Sequence, residues 1–253
     1  MSRPGSDPGA IVVVGAAGGL GGAILRRLAA DRPGSPVWIT YRSNAAQAEA
    51  LAASVAGARV ARCDLHEPAD MVQLAEEVRS EAGGVATLVH AVVEVVTGPA
   101  LEIGYEKISA VVQSSGLALL GLTAAFDDML GDGSTILYVT SIGSYRVIPT
   151  YTAIGTAKAC GEALVRYLAV ELAPRGIRVN AISPAPFASQ AAAGVVGDLD
   201  ALMAATDAAT PRGRRLELSE IADLAAYLSE PRSSGITGQV ITVDGGIFTT
   251  WRL

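Results

Sequence analysis

The chain has few aromatic residues, with 3 Phe, 2 Trp and 7 Tyr among 253. Aliphatic side chains must therefore fill its interior. Cysteine is scarcer still. Cys63 and Cys160 are the only two, with no CxxC pair and no metal-ligand spacing. Two distant cysteines build no disulfide framework, so reduced thiols in a cytoplasmic protein are expected. Positive charge is also short, with 19 Lys and Arg against 25 Asp and Glu and a formal net charge of −6. Without a basic stripe to neutralise phosphates, a nucleic-acid partner is not expected. Arg212, Arg214 and Arg215 cluster but read as a solvated loop with ordinary ion pairs. No apolar run approaches the ~20 residues of a membrane-spanning helix. The opening "MSRPGSDPGA" has no apolar centre of a signal peptide, so a soluble protein with a disordered lead-in over residues 1–9 is expected.

What the sequence does contain is an alternation of short apolar runs and helical patterns. "AIVVVG" reads as a strand before the helix "GGAILRRLAAD", and "VWITYR" as a strand before "NAAQAEALAASVAG". "ARVARCD", "ATLVHAV", "STILYVTS", "IRVNAIS" and "GQVITVDGG" read as further strands. Helical stretches lie between them, including long ones from about Lys107 to Leu130 and from about Thr150 to Ala173. Strands apolar throughout, each followed by a helix, predict one α/β domain over residues 10–253. Its expected architecture is a Rossmann-like, doubly wound parallel sheet of about seven strands, with helices on both faces. The longest irregular segment, about 183–217, follows a strand's C-terminal end, where open sheets of this type bind ligands. It is expected to cover a substrate.

"VVVGAAGGLGGA" joins the first strand to the first helix. Gly15, Gly19 and Gly21 are spaced GxxxGxG around Leu20, allowing a tight turn and a close approach of main-chain N–H groups to a pyrophosphate. A nucleotide site is expected there. The second strand runs into "ITYRSN", with no acid to meet ribose hydroxyls. Arg42 offers a guanidinium to a phosphate, and Ser43 and Asn44 add donors, so NADPH is expected over NADH. The third strand ends "ARCDL", where Asp64 either reaches an adenine ring, with the Leu65 backbone beside it, or caps the next helix.

These stretches together resemble the short-chain dehydrogenase/reductase superfamily from about Ala10 to Gly246. Most members carry Tyr-x-x-x-Lys, but four residues before Lys158 stands Ile154. The sequence has instead Tyr151-x6-Lys158, within "RVIPTYTAIGTAKA", which resembles the divergent enoyl-acyl carrier protein reductase branch. "LVHAV" with His90 and "SPAPFAS" are similar to that branch too.

The resemblance implies that Lys158 holds the nicotinamide ribose and Tyr151 acts on a substrate oxygen. By the same resemblance, Ser141 is a candidate for the substrate carbonyl, though it could equally cap a turn. His90 belongs to the cofactor-binding segment, its side chain reading as a packed, hydrogen-bonded residue at a strand end. Phe187 grips the carboxamide through its backbone, and Ser189 lies near the phosphates. The implied reaction is NADPH-dependent reduction of a trans-2-enoyl thioester on acyl carrier protein or CoA, by a homotetramer joined through the two long helices. Seven helical residues span ~10.5 Å, and moving the tyrosine three positions shifts it by ~4.5 Å. That displacement suits conjugate addition, where hydride and negative charge go to separated atoms. Val92 and Val93 stand where the reductases have an apolar residue and then glycine, so Val93 departs from the pattern, as does Glu94, and Ser115 stands about where many superfamily members have an asparagine. The rivals are a carbonyl reductase of polyketide or other ketones and a non-catalytic NADPH-binding protein.

Overall fold

Seven parallel strands lie in the order β3-β2-β1-β4-β5-β6-β7, as the alternation of runs predicts. The computed structural model describes residues 9–249, so the expected disordered lead-in lies, apart from Gly9, outside the described residues. In chain order the first half comprises β1 (Ala10–Val14), α1 (Gly19–Asp31), β2 (Val37–Tyr41), α2 (Ala45–Ala52), β3 (Ala58–Arg62), α3 (Pro68–Arg79) and β4 (Val85–His90). Then come α4 (Ala100–Ile103), α5 (Tyr105–Val112), α6 (Ala118–Ala125), β5 (Thr135–Val139) and α7 (Thr152–Leu172). The chain continues through β6 (Arg178–Pro184), α8 (Gln190–Val195), α9 (Leu199–Ala209), α10 (Leu218–Leu228) and β7 (Val240–Val243).

Side chains alternate across the sheet. Ile11 and Val13 pack under α1, α2 and α10, while Ala10, Val12 and Val14 face α3, α6 and α7. Both faces are covered, which is why the strands lack a polar side. Order reverses at β1, which pairs with β2 on one edge and β4 on the other. That switch point opens a crevice at the strand C-termini.

Two expectations about elements are corrected. Residues 183–217 are not mostly irregular, because Ser189 and Asp198 cap two helices there. Their side chains accept from Ala192 N at 3.0 Å and Ala201 N at 2.9 Å. The long helix runs from Tyr105 to Ala125 and includes a π-turn at Gln113–Leu117. By length and composition these 21 residues are apolar enough to cross a bilayer, which the run-by-run reading of the sequence did not find. The helix nevertheless packs Val111, Leu119 and Leu122 into the interior.

The arginine cluster behaves as expected. Arg212 and Arg214 pair with Glu220, and Arg215 pairs with Asp207. The Arg214 guanidinium, the Glu217 backbone N–H and the Arg212 guanidinium hold the Glu220 carboxyl down at about 2.

Candidate active site

The β1–α1 turn excludes a side chain at Gly15 and at Gly21. Gly15 has φ 92°, and a Cβ there would sit 2.9 Å from the Ala91 carbonyl oxygen. A Cβ on Gly21 would lie 2.4 Å from the Gly15 carbonyl oxygen. Helix α1 starts at Gly19 with no side-chain cap and no acid in its first turn. Its opening N–H groups are thus available to an anion, helped by the positive end of the helix dipole.

Beyond this turn a cavity of about 250 Å³ is lined by Gly15, Arg42, Ser43, Asp64, Leu65, Val93 and Glu94. Asp64 does not cap α3. Its Oδ1 accepts from His66 N at 3.1 Å, and Glu67 takes the N-cap position. Asp64 lines the cavity. Asn44 is committed to capping α2, its Oδ1 accepting from Gln47 N at 3.1 Å.

A second, more apolar cavity of about 240 Å³ is lined by Leu20, Ser141, Tyr151, Lys158, Phe187 and Ser189, with Ile148, Ile154, Val195, Val196 and Leu202. Val93 borders both cavities. The first cavity reaches the end of β2 and the second the start of α7. The Ser189 side chain accepts from Ala192 N.

Lys158 is buried, and its Nζ donates to the carbonyls of Val92 at 2.9 Å and Val139 at 2.8 Å. Two of its three donors are used, leaving one for a ligand. The ammonium also lies 4.9 Å from the centre of the Tyr138 ring, a cation–π arrangement. Burial lowers its pKa to about 7, opposed by the charge of Glu162 one turn further along α7. Glu162 Oε1 in turn accepts from Thr140 Oγ1 at 2.6 Å.

Tyr138 donates through its hydroxyl to the Ser115 carbonyl at 2.6 Å, in the π-turn. The ring leaves no room opposite, since a Cβ on Gly161 would lie 2.2 Å from Tyr138 Cζ. Gly161→Ala is therefore expected to destabilise the fold by about 2 kcal/mol through overpacking, measurable as a lower urea midpoint with unchanged m-value.

The His90 cofactor contact is corrected. Its ring is wholly buried, lines neither cavity, and places Nε2 3.2 Å from the Ser114 carbonyl. Burial and the nearby Lys158 charge push its pKa down to about 3. A neutral packing residue results.

Tyr151 stands just outside α7, at the N-cap position with φ −100° and ψ 12°. It is not the helical residue that the seven-residue arithmetic assumed. A bridge to Gly98 fixes its backbone, and Gly98 N donates to Thr150 O at 2.9 Å. Thr150 has φ 64°, an unfavourable left-handed conformation for a β-branched residue. The Tyr151 hydroxyl donates to Ser141 Oγ at 3.4 Å, a long bond, while Ser141 Oγ accepts from Gly143 N at 3.2 Å. Burial raises the phenol's pKa, opposed by the Ser141 bond. Tyr151 is thus a protonated donor at neutral pH.

Sequence reasoning missed the Tyr138 platform and the Thr140–Glu162 pair. Glu162 was findable as the carboxylate at i+4 from Lys158. Tyr138 carries no local signal, because its contacts come from a distant π-turn. Ser115, set against a relay asparagine, instead uses its hydroxyl to accept from Glu94 N at 2.8 Å.

The family model described as "Enoyl-(Acyl carrier protein) reductase" matches residues 15–248. The chain belongs to this family. Among its relatives, the enoyl-acyl carrier protein reductase (NADH) 1 of Rhizobium meliloti is 32% identical over 85% of this chain and 81% of its own. The enoyl-acyl carrier protein reductase (NADH) of Escherichia coli K12 is 31% identical over 93% and 92%. A short-chain dehydrogenase from Burkholderia cenocepacia, solved in complex with NADP, superposes with a TM-score of 0.86. It is 26% identical, and the match covers 96% of this chain and 98% of that one. As a member of the enoyl reductase family, the chain is an oxidoreductase of the nicotinamide-dependent type. The close approaches at Gly15 and Gly21, the two adjoining cavities and the spare Lys158 donor fit a dinucleotide.

Proposed function

We propose that this reductase saturates the carbon–carbon double bond of a trans-2-enoyl thioester carried on acyl carrier protein or CoA, using NADPH. The observation carrying this reading is that Tyr151 and Lys158 reach one apolar cavity from different places. Lys158 comes from inside α7 and Tyr151 from the loop before it. When bound, a nicotinamide cofactor would supply hydride to the substrate β-carbon, and a proton taken up from water at the α-carbon would complete the saturation. Gly15, Gly19 and Gly21 admit its pyrophosphate, Asp64 and Leu65 its adenine, and Lys158 its nicotinamide ribose. The Phe187 backbone holds its carboxamide, with Ser189 near the phosphates. Tyr151 Oη donates to the thioester oxygen as negative charge develops there, and the Lys158 cation favours the same charge. Ile148, Ile154 and Leu202 offer apolar surface to the acyl chain.

The NADPH preference rests on Arg42. No acid ends β2, and the Arg42 side chain is 55% exposed on the rim of the first cavity. The two relatives' names carry NADH, so cofactor choice needs direct measurement. Arg42→Asp is expected to lower kcat/KM for NADPH about tenfold or more, with NADH far less affected. Equal loss with both cofactors would defeat the assignment.

A carbonyl reductase is the second reading, favoured by the placement of Ser141 beside the Tyr151 hydroxyl. Crotonyl thioester and a ketone panel, each with NADPH and NADH, separate the two. Loss of enoyl absorbance supports the first reading, and ketone turnover without it supports the second. We also propose a cytoplasmic homotetramer. Its subunit contacts would cover Leu117 and Leu120 on the α5–α6 helix and Tyr167 and Val170 on α7, all of which are exposed. A monomer by light scattering defeats only this part.

A further inference from the structure

We infer that Glu94 is a specificity-determining residue, tuning acceptance of a 2′-phosphate by competing with that phosphate for Arg42. The inference deepens the cofactor reading and rests on it for the location of the adenosine half. Glu94 follows β4, and its carboxylate lines the first cavity together with Arg42 and Asp64. The backbone is fixed there, since Glu94 N donates to Ser115 Oγ at 2.8 Å. One carboxylate oxygen is also fixed, with His66 Nε2 2.9 Å from Oε2 and Ser114 Oγ donating to it at 2.7 Å. Both serines belong to the π-turn.

The other oxygen, Oε1, lies 4.0 Å from Arg42 Nη1. Among the described residues, no other carboxylate ion-pairs with Arg42. Arg42 follows β2 and Glu94 follows β4, the two neighbours of β1 in the sheet, and both line the cavity. A phosphate docking on Arg42 must displace this pairing and meet a carboxylate that its hydrogen bonds hold in place. A ribose bearing a free 2′-hydroxyl carries no charge for that carboxylate to repel. Glu94 therefore weakens the phosphorylated ligand selectively, whichever cofactor the wild-type protein prefers.

The test is calorimetry on the intact protein with adenosine 2′,5′-bisphosphate and with AMP. Glu94→Gln preserves size and hydrogen-bonding capacity. It is expected to tighten the bisphosphate about three- to tenfold and to leave AMP within about twofold, a range set by a partly exposed charge pair. Glu94→Ala shifts the ratio in the same direction. The kcat/KM ratio of NADPH to NADH should rise by a similar factor. Equal changes for both nucleotides, or no gain for the bisphosphate in either variant, overturn the inference. A wild-type preference for NADH defeats the NADPH reading alone, because the inference concerns only the difference between variant and wild type.

Discussion

Tyr151→Phe is expected to lower kcat for enoyl reduction about a hundredfold, the scale of losing one preorganised donor to a developing oxyanion. Nothing structural should fall with it. The ring remains to pack beside Gly143 and Gly155, and among the described residues the hydroxyl's one side-chain bond is the long contact to Ser141. The melting temperature and the cofactor Kd should therefore hold steady. If the hydroxyl binds substrate and transition state equally, KM rises instead and kcat survives. Single-turnover rates with saturating thioester distinguish these cases. Burial keeps the phenol protonated through the neutral range, so the plateau rate should not depend on its ionisation there.

Lys158 gives the second large effect, on stability rather than rate. Its folded pKa of about 7 lies below the ordinary 10.5. The unfolded chain therefore binds the extra proton between those two values, and stability rises with pH across that window. Below pH 7 both states are protonated, and the desolvation of the buried cation is felt in full. Relative to Lys158→Met, which cannot titrate, the cofactor-free wild-type protein should gain up to about 4 kcal/mol between pH 6.5 and 10. Urea midpoints of the two proteins at each pH test this. Parallel profiles would mean that the ammonium is better solvated than its two carbonyl partners and the Tyr138 ring imply. In this window other groups titrate equally in both proteins, so the comparison isolates one residue.

The sequence was most informative where a local rule operates. Apolar strands separated by helical patterns revealed the parallel sheet and its covered faces, because burial on both sides removes the polar alternation. GxxxGxG was legible because only glycine tolerates the contacts at Gly15 and Gly21. Tyr151 and Lys158 were legible as a pair through resemblance, although the arithmetic that placed both on one helix was not correct. The helix begins one residue after the tyrosine, whose position is set by a bridge to Gly98, a contact far away in sequence. The packed reading of the His90 side chain holds, although strand alternation does not say which side of the last residue faces the crevice. Its ring turned inward, 5.3 Å from that of Tyr138. The π-turn was invisible for a similar reason. No residue type demands one, yet it provides the carbonyls that hold His90 and Tyr138.

The most direct test of hydride delivery remote from the tyrosine is the fate of isotope. The enzyme is supplied with crotonyl thioester and a cofactor bearing deuterium on the transferable position of its dihydronicotinamide, and the product is examined by NMR. Deuterium on the β-carbon of a saturated acyl chain is the expected result. An intact double bond with deuterium at the former carbonyl carbon would contradict it.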